Sequence, residues 1–185
     1  MIEEHVVLVD EENNVLDTMP KNRVHSLNTP LHRAFSIFIF NHNKELLLQQ
    51  RSHKKLTWPL VWSNSCCGHP LPSETNTDAI VRRVANELGA KVDNIQFMLP
   101  YRYSFTRDAM TENEICPIFV AMIGSDINFN PDEVEAVKWC AWKDWLEEIG
   151  KNSEKYSEWC IEESLILEQS EVFQDFFIAI PKQPC

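Results

Sequence analysis

The chain has 185 residues, 44% of them hydrophobic and 24% charged, with a formal net charge of −11 at pH 7. That composition fits one ordinary globular domain spanning residues 1–185 and argues against disorder. The acidic balance excludes nucleic acid as an expected partner, because such binding draws on an excess of Lys and Arg. No apolar run approaches the ~18–20 residues that span a bilayer. The start Met1-Ile2-Glu3-Glu4-His5 lacks the basic segment of a signal peptide, so a cytoplasmic protein without a membrane partner is expected.

In chain order, residues 5–9 read as a strand closed by the polar turn Asp10-Glu11-Glu12-Asn13-Asn14. Residues 33–40 and 45–51 read as two strands joined by Asn41-His42-Asn43-Lys44 in a β-hairpin. Thr75 and Asp78 form a capping box, and Ile80, Val81, Val84 and Leu88 recur on one face before Gly89. This predicts a helix over 76–88. Strands are predicted at 95–99, 101–105, 114–123 and 136–142. Trp145, Leu146 and Ile149 mark a short helix, and the apolar positions from Trp159 to Ile180 mark two more. Phe173, Phe176, Phe177 and Ile180 form a stripe that packs on the domain or on another subunit. Strands early, one inserted helix and a helical end give an α+β fold. Cys66, Cys67, Cys116, Cys140, Cys160 and Cys185 contain no C-x-x-C pair, and reduced thiols are expected in a chain of this length.

The residues that carry chemistry begin in the run Trp58-Pro59-Leu60-Val61-Trp62-Ser63-Asn64-Ser65-Cys66-Cys67-Gly68-His69-Pro70. In extended backbone Cys67 and His69 point to one side, although a small buried thiol and a hydrogen-bonded turn imidazole explain the pair equally well. Glu112 and Glu114 share a face if a strand begins there, and adjacent carboxylates invite a cation between them. His25 and His32 would stand ~10 Å apart on an unbroken helix. Asn28-Thr29-Pro30 breaks such a helix, so a loop can fold the two rings together. His5, His42 and His53 have no such companions.

Gly68, Glu74, Arg82, Glu87 and Gly89 follow the frame of a Nudix box. Arg83 and Asn86 stand where the hydrolases of that family keep glutamates, and Glu87 alone remains of the metal-binding cluster. One carboxylate is a poor cage for ions that activate a hydrolytic water.

Taken together, Lys21, His25, His32, Arg51, Lys55 before Trp58-Pro59, Cys67-Gly68-His69-Pro70, Tyr103, Glu112-Asn113-Glu114 and Trp159 resemble the type I isopentenyl-diphosphate isomerases. The resemblance covers His5 to about Trp159. It implies a Nudix-like α/β/α sandwich with a mixed sheet and a helical C-terminal segment. It further implies one divalent metal, zinc or manganese, on His25, His32, His69, Glu112 and Glu114, three imidazoles and two carboxylates being a poor set for calcium. Cys67 and Glu114 are implied on opposite faces of the substrate, one delivering a proton to the terminal alkene carbon and the other removing one from a neighbouring carbon. Glu114, helped by Tyr103, is favoured as the first donor. Trp159 is implied beside the carbocation, with core filling as its plainer role. The diphosphate falls to Lys21, Arg51, Lys55 and Arg83 and to a magnesium ion on Glu87, which reconciles an anionic substrate with an acidic protein. The resemblance also implies a monomer. A Nudix pyrophosphohydrolase, or a decayed Nudix fold that only binds, is the rival reading. Neither accounts for Cys67, His69, Glu112 and Glu114 occurring together.

Overall fold

The computed structural model describes residues 4–181. Met1 to Glu3, part of the start read for a leader, and Cys185 lie outside them. The first elements are β1 (His5–Val9), β2 (Val15–Pro20), the one-turn helix α1 (Lys21–Val24), β3 (His32–Arg33), β4 (Phe35–Phe40) and β5 (Glu45–Arg51). After them come β6 (Trp62–Ser63), β7 (Cys66–Gly68), α2 (Asn76–Leu88), β8 (Val92–Leu99), β9 (Arg102–Arg107), β10 (Met110–Ile115), β11 (Ile118–Ile123) and β12 (Val134–Ala141). The chain finishes with α3 (Trp142–Lys151), α4 (Glu158–Glu168) and α5 (Glu171–Ala179).

These strands form two sheets. The smaller runs β2-β1-β3-β10-β9, and the larger β12-β5-β4-β11-β8, with β6 beside β5 and β7 beside β4. Pairing is mixed: β10 runs parallel to β3 and β11 parallel to β4, while the other pairs are antiparallel. The larger sheet is covered on both faces, which is why all six residues of β4 are buried. Phe35, Ile37 and Ile39 pack with Ala79, Ile80, Val84 and Leu88 of α2. Phe38 and Phe40 alternate to the other side and meet Trp142, Trp145 and Phe173 of the C-terminal helices. Each such fully buried side chain contributes about 1.5–3 kcal/mol. The result is an α/β/α sandwich. The aromatic stripe of α5 belongs to this core, since Phe173, Phe176 and Phe177 lie 5.6–6.1 Å from the Phe40 ring.

Helix α2 begins and ends as its sequence predicts. The Thr75 hydroxyl accepts from the Asp78 backbone N–H and donates to the Asp78 carboxylate, and Gly89 caps the helix with φ +59°. A Cβ at Gly89 would lie 2.2 Å from the Asn128 carbonyl oxygen. Cys66, Cys67, Cys116, Cys140 and Cys160 are free thiols.

Three expectations need correction. Residues 114–123 are not one strand. Pro117 supplies no N–H, the ladder breaks at Cys116-Pro117, and β10 and β11 continue in different sheets. The predicted hairpin of 33–40 and 45–51 is paired at its tip alone, Phe40 with Leu46. Beyond the tip the strands part, and β7 takes the edge of β4 while β6 takes that of β5. Finally, Trp142 opens α3 rather than closing a strand, because its indole is drawn onto Phe38 and Phe40. β2, β3, β6 and β7 are absent from the sequence reading, being short or only weakly apolar.

Gly89→Ala should lower stability by at least about 1–2 kcal/mol, the cost of a left-handed backbone for a residue with a Cβ. A urea unfolding midpoint unchanged from the parent protein would contradict this account of the cap.

Candidate active site

His32, Glu114 and Tyr103 lie in one row across three adjacent strands. Glu114 of β10 is paired with His32 of β3 on one side and with Tyr103 of β9 on the other. Period-two geometry then places Glu112 on the same face, one pleat along. His25 follows directly after α1, in a loop turned by the Thr29 hydroxyl, which accepts from the Ser26 N–H and donates to the Ser26 carbonyl. This turn brings the His25 and His32 rings to 5.6 Å. His69, just past β7, completes the group from the larger sheet, its ring 5.0 Å from His32 and 5.9 Å from His25.

One ligand atom from each of His25, His32, His69, Glu112 and Glu114 lies within 4.8 Å of all the others. The hydrogen bonding among them is incomplete. His25 Nε2 and Glu112 Oε2 stand 2.8 Å apart, yet both are buried atoms without a hydrogen-bond partner. His32 Nε2 and His69 Nε2 face each other at 3.3 Å, while the Nδ1 of His32 sits 2.9 Å from the Pro30 carbonyl, to which it donates. Buried polar atoms are almost always satisfied, and lone pairs converging on one point are satisfied by a cation. The cluster fits a divalent metal ion.

The electrostatics favour an ionised Glu114 and a neutral His69, whereas at His32 burial is outweighed by the hydrogen bond with Glu114, which raises it above its ordinary value. Burial opposes ionisation of Glu114, but its hydrogen bonds with His32 and His69 outweigh that and hold its carboxyl well below the usual carboxylate range. Burial pushes His69 down to about 4, leaving a neutral imidazole, the form that ligates. Glu114 is shared between two tasks: Oε1 lies 2.8 Å from His69 Nε2, and Oε2 accepts from the Tyr103 hydroxyl at 2.5 Å.

This row opens onto a pocket of about 500 Å³. Every sequence-predicted site residue lines it except His32, which is fully buried behind. Cys67 reaches the pocket from β7, where it is paired with Ser36 of β4. Burial pushes its thiol up from the usual range. Trp159 projects from α4, stacked on Tyr103 at 5.8 Å and edge-on to Trp58 at 5.2 Å. Lys21, Lys55 and Arg83 supply positive charge, bridged by carboxylates that the sequence reading did not single out. Glu4 contacts Lys21 at 3.0 Å and Arg83 at 3.9 Å, and Glu133 pairs with Lys55 and with Arg83 at 3.2 Å. Nothing in their sequence surroundings marks these two glutamates. Gly68 makes room for Arg83, whose Cγ would lie 2.9 Å from any Cβ there.

Arg51 is less free than expected of an anion ligand. Its Nε and Nη2 donate to the Thr57 and Trp58 carbonyls and the Thr57 hydroxyl, and its guanidinium lies 5.8 Å from the Trp159 ring. It therefore props the loop after β5 and keeps Nη1 for the pocket. Glu87 offers no orphaned oxygen, because Arg83 and Gln49 donate to it. An ion there competes with Arg83. Of the Nudix frame, Glu74 and Arg82 are structural: Arg82 clamps Glu74 at 2.7 Å and the His69 carbonyl at 3.0 Å.

A NUDIX domain model matches residues 30–160. The fold matches a Deinococcus radiodurans structure with a TM-score of 0.70 at 19% identity, covering 88% of this chain and 98% of that one. A MutT protein from Methanosarcina mazei gives 0.55 at 19% identity, covering 82% and 93%. The isopentenyl-diphosphate Delta-isomerase of Saccharopolyspora erythraea is 42% identical over 85% of this chain and 82% of its own length. The chain belongs to the isopentenyl-diphosphate Delta-isomerase family. Isomerases of the same name from Rhizobium rhizogenes, at 44% identity over 85% of this chain and 77% of theirs, and from Salmonella typhi, at 40% over 87% and 90%, agree. Within a NUDIX domain, this isomerase-family chain puts Arg83 and Asn86 on the helix that carries Glu87, and gathers its metal-suited residues instead on β3, β10 and the loops beside them.

His69→Asn should lower bound divalent metal and activity together, since it opens the ligand cluster while leaving the core intact. Elemental analysis by mass spectrometry is the check, and full metal content with full activity would reduce His69 to a turn residue.

Proposed function

We propose that the protein interconverts isopentenyl diphosphate and dimethylallyl diphosphate by adding a proton to one end of the allylic system and removing another, through a tertiary carbocation. The observation that carries this is the presence, on one pocket, of the Cys67 thiol and the Tyr103–Glu114 pair. These are two proton-transfer groups from different sheets with space for a small molecule between them. An unactivated alkene is a very weak base, so its protonation needs a positioned acid and a site closed to water.

In this reading the Cys67 thiol delivers a proton to the terminal alkene carbon. Glu114, hydrogen-bonded to Tyr103, receives one from the methylene next to the cationic centre, and in the reverse direction the roles exchange. Burial keeps the proton on the Cys67 thiol and the imidazole hydrogen bonds keep Glu114 a carboxylate, so the thiol has a proton to give and the carboxylate has room for one, the opposite order to the one favoured from the sequence. Burial keeps Tyr103 well above its usual range, so it stays a hydroxyl donor throughout. The Trp159 face lies beside the cation, a contact worth up to about 2 kcal/mol in a dry site. Lys21, Lys55 and Arg83, with Nη1 of Arg51, bind the diphosphate, which displaces Glu4 and Glu133 from them.

His25, His32, His69, Glu112 and Glu114 would hold zinc or manganese, a choice the N₃O₂ donor set favours over calcium, and Glu87 would hold the magnesium that accompanies the diphosphate. When bound, these ions supply fixed positive charge beside Glu114 and beside the phosphates. The working unit in this proposal is a monomeric cytoplasmic enzyme of one domain, residues 1–185.

Incubation with isopentenyl diphosphate and magnesium, followed by detection of dimethylallyl diphosphate, tests the reading directly; free phosphate in its place would reveal a hydrolase. Cys67→Ala should reduce turnover by about 10²–10⁴-fold, the usual worth of a positioned acid or base. Cys66→Ala should change it far less, because Cys66 faces α2 and packs in the opposite core. Equal losses in the two variants would refute the role given to Cys67. Arg83→Glu should raise KM for isopentenyl diphosphate by roughly tenfold or more through like-charge repulsion, with hydrolysis still negligible. An unchanged KM would move the diphosphate off this helix.

A further inference from the structure

Behind Cys67, on the side away from the pocket, lies a buried hydrogen-bonded chain that the proposed mechanism does not use. The Cys67 S–H donates to Asn64 Oδ1 at 3.1 Å, and its sulfur also lies 3.3 Å from the Ser36 hydroxyl oxygen. The Asn64 amide group donates to Ser36 Oγ at 3.1 Å and to the backbone carbonyls of Ile37 and Cys66. Those two carbonyls fix which way the amide faces and so aim its oxygen at the thiol. Ser36 then donates its one hydrogen to Glu163 Oε2 at 2.8 Å.

We propose that Glu163 is a positioning residue for Cys67, acting through the Ser36 hydroxyl. This rests on the isomerase reading. Glu163 sits on α4 one turn after Trp159, on the same buried face of the helix. One helix thus sets both an aromatic wall of the pocket and the support behind its thiol.

The carboxyl group is hard to explain as a stabilising feature. Glu163 is fully buried, no Lys, Arg or His is paired with it among the described residues, and its Oε1 has no partner at all. Burial accordingly pushes its carboxyl well above the usual range, leaving a neutral acid. An apolar residue of similar volume would satisfy the core at lower cost. The single polar contact the group makes is with Ser36, which itself touches the Cys67 sulfur. Burying a polar group at one point for one contact is the pattern expected when placement, rather than stability, is at stake.

The physical effect is orientation. A hydroxyl both donates and accepts. With its hydrogen committed to Glu163 and one lone pair to Asn64, Ser36 keeps an acceptor direction that shares the single thiol hydrogen with Asn64 Oδ1. The sulfur is then held between two oxygens, in a single rotamer with its other side open to the pocket. Without Glu163 the Ser36 hydrogen has no fixed acceptor, and the thiol loses a defined neighbour. Neither Ser36, Asn64 nor Glu163 lines the pocket, so this arrangement alters Cys67 without touching the substrate.

The test measures kcat, KM, metal content and melting temperature for the full chain and for Glu163→Leu, Glu163→Gln and Ser36→Ala, with isopentenyl diphosphate as substrate. Glu163→Leu should lower kcat by roughly tenfold to a hundredfold, the scale on which a misplaced reacting group is felt. KM should stay within about twofold and metal content should not change, because binding groups are untouched. Glu163→Gln should recover most of the loss, since its carboxamide oxygen accepts the Ser36 hydrogen within the same volume. Ser36→Ala should reproduce the loss, and the double variant Ser36→Ala/Glu163→Leu should be no worse than either alone, as for two groups in series. If Glu163→Leu does not fold, Ser36→Ala and Glu163→Gln decide the matter. A parent chain without isomerase activity overturns the isomerase reading and this inference with it. An active parent overturns the inference alone if kcat of Glu163→Leu or Ser36→Ala is unchanged, if Glu163→Gln is as impaired as Glu163→Leu, or if the losses of Ser36→Ala and Glu163→Leu add.

Discussion

His32, Glu114 and Tyr103 stand opposite one another because β3, β10 and β9 are hydrogen-bonded in that order. A slip of one residue in either pairing would turn the Glu114 carboxylate to the other face of its sheet. The register is held from the larger sheet, which continues the same strands. The parallel pair β3/β10 runs on as the parallel pair β4/β11. The join is kept by the Ala34 N–H on the Ile115 carbonyl and the Ser36 N–H on the Pro117 carbonyl. The densely packed β4 and β11, buried under helices on both sides, thereby fix a site that belongs to the thinner sheet. Stability is concentrated in one sheet, and His32, Glu112, Glu114 and Tyr103 sit on the other.

The same arrangement explains how an acidic chain presents a positive patch. Lys21, Lys55 and Arg83 are not free surface charges, for Glu4, Glu133 and Glu87 hold them in place. An anionic ligand exchanges one set of carboxylates for its own oxygens, so the cations are already oriented when it arrives, and their net field is muted until then. Arg83 is central to this network and is accommodated by the missing side chain of Gly68.

Much of the site was legible in the sequence because its residues are chemically unusual and closely spaced along the chain. Cys67 with His69 and Glu112 with Glu114 each occupy alternate positions of an extended segment, and helix 76–88 announces its cap, its face and its stop. The joins between sheets were not legible. At Cys116-Pro117 an apolar run simply continues, and only the absent N–H of Pro117 signals that the ladder ends. Short strands such as His32–Arg33 carry too few residues for any periodicity, although this one supplies a site residue. Glu4 and Glu133 resemble any surface acid until folding sets them on cations. Glu163 had a signal that could have been used: it lies four residues after Trp159, an acid on the apolar face of a predicted helix.

Order along the chain has a further consequence. The residues suited to the ion, His25 through Glu114, all precede β11, whereas Trp159 and Glu163 lie on the penultimate helix. Synthesis from the N-terminus therefore delivers the residues suited to an ion before the helix that covers the reaction space. A chain that ended before α4 would keep all five of those side chains and lose the Trp159 wall of the pocket. The residues suited to an ion and the aromatic wall of the pocket are thus contributed by separate stretches of the chain.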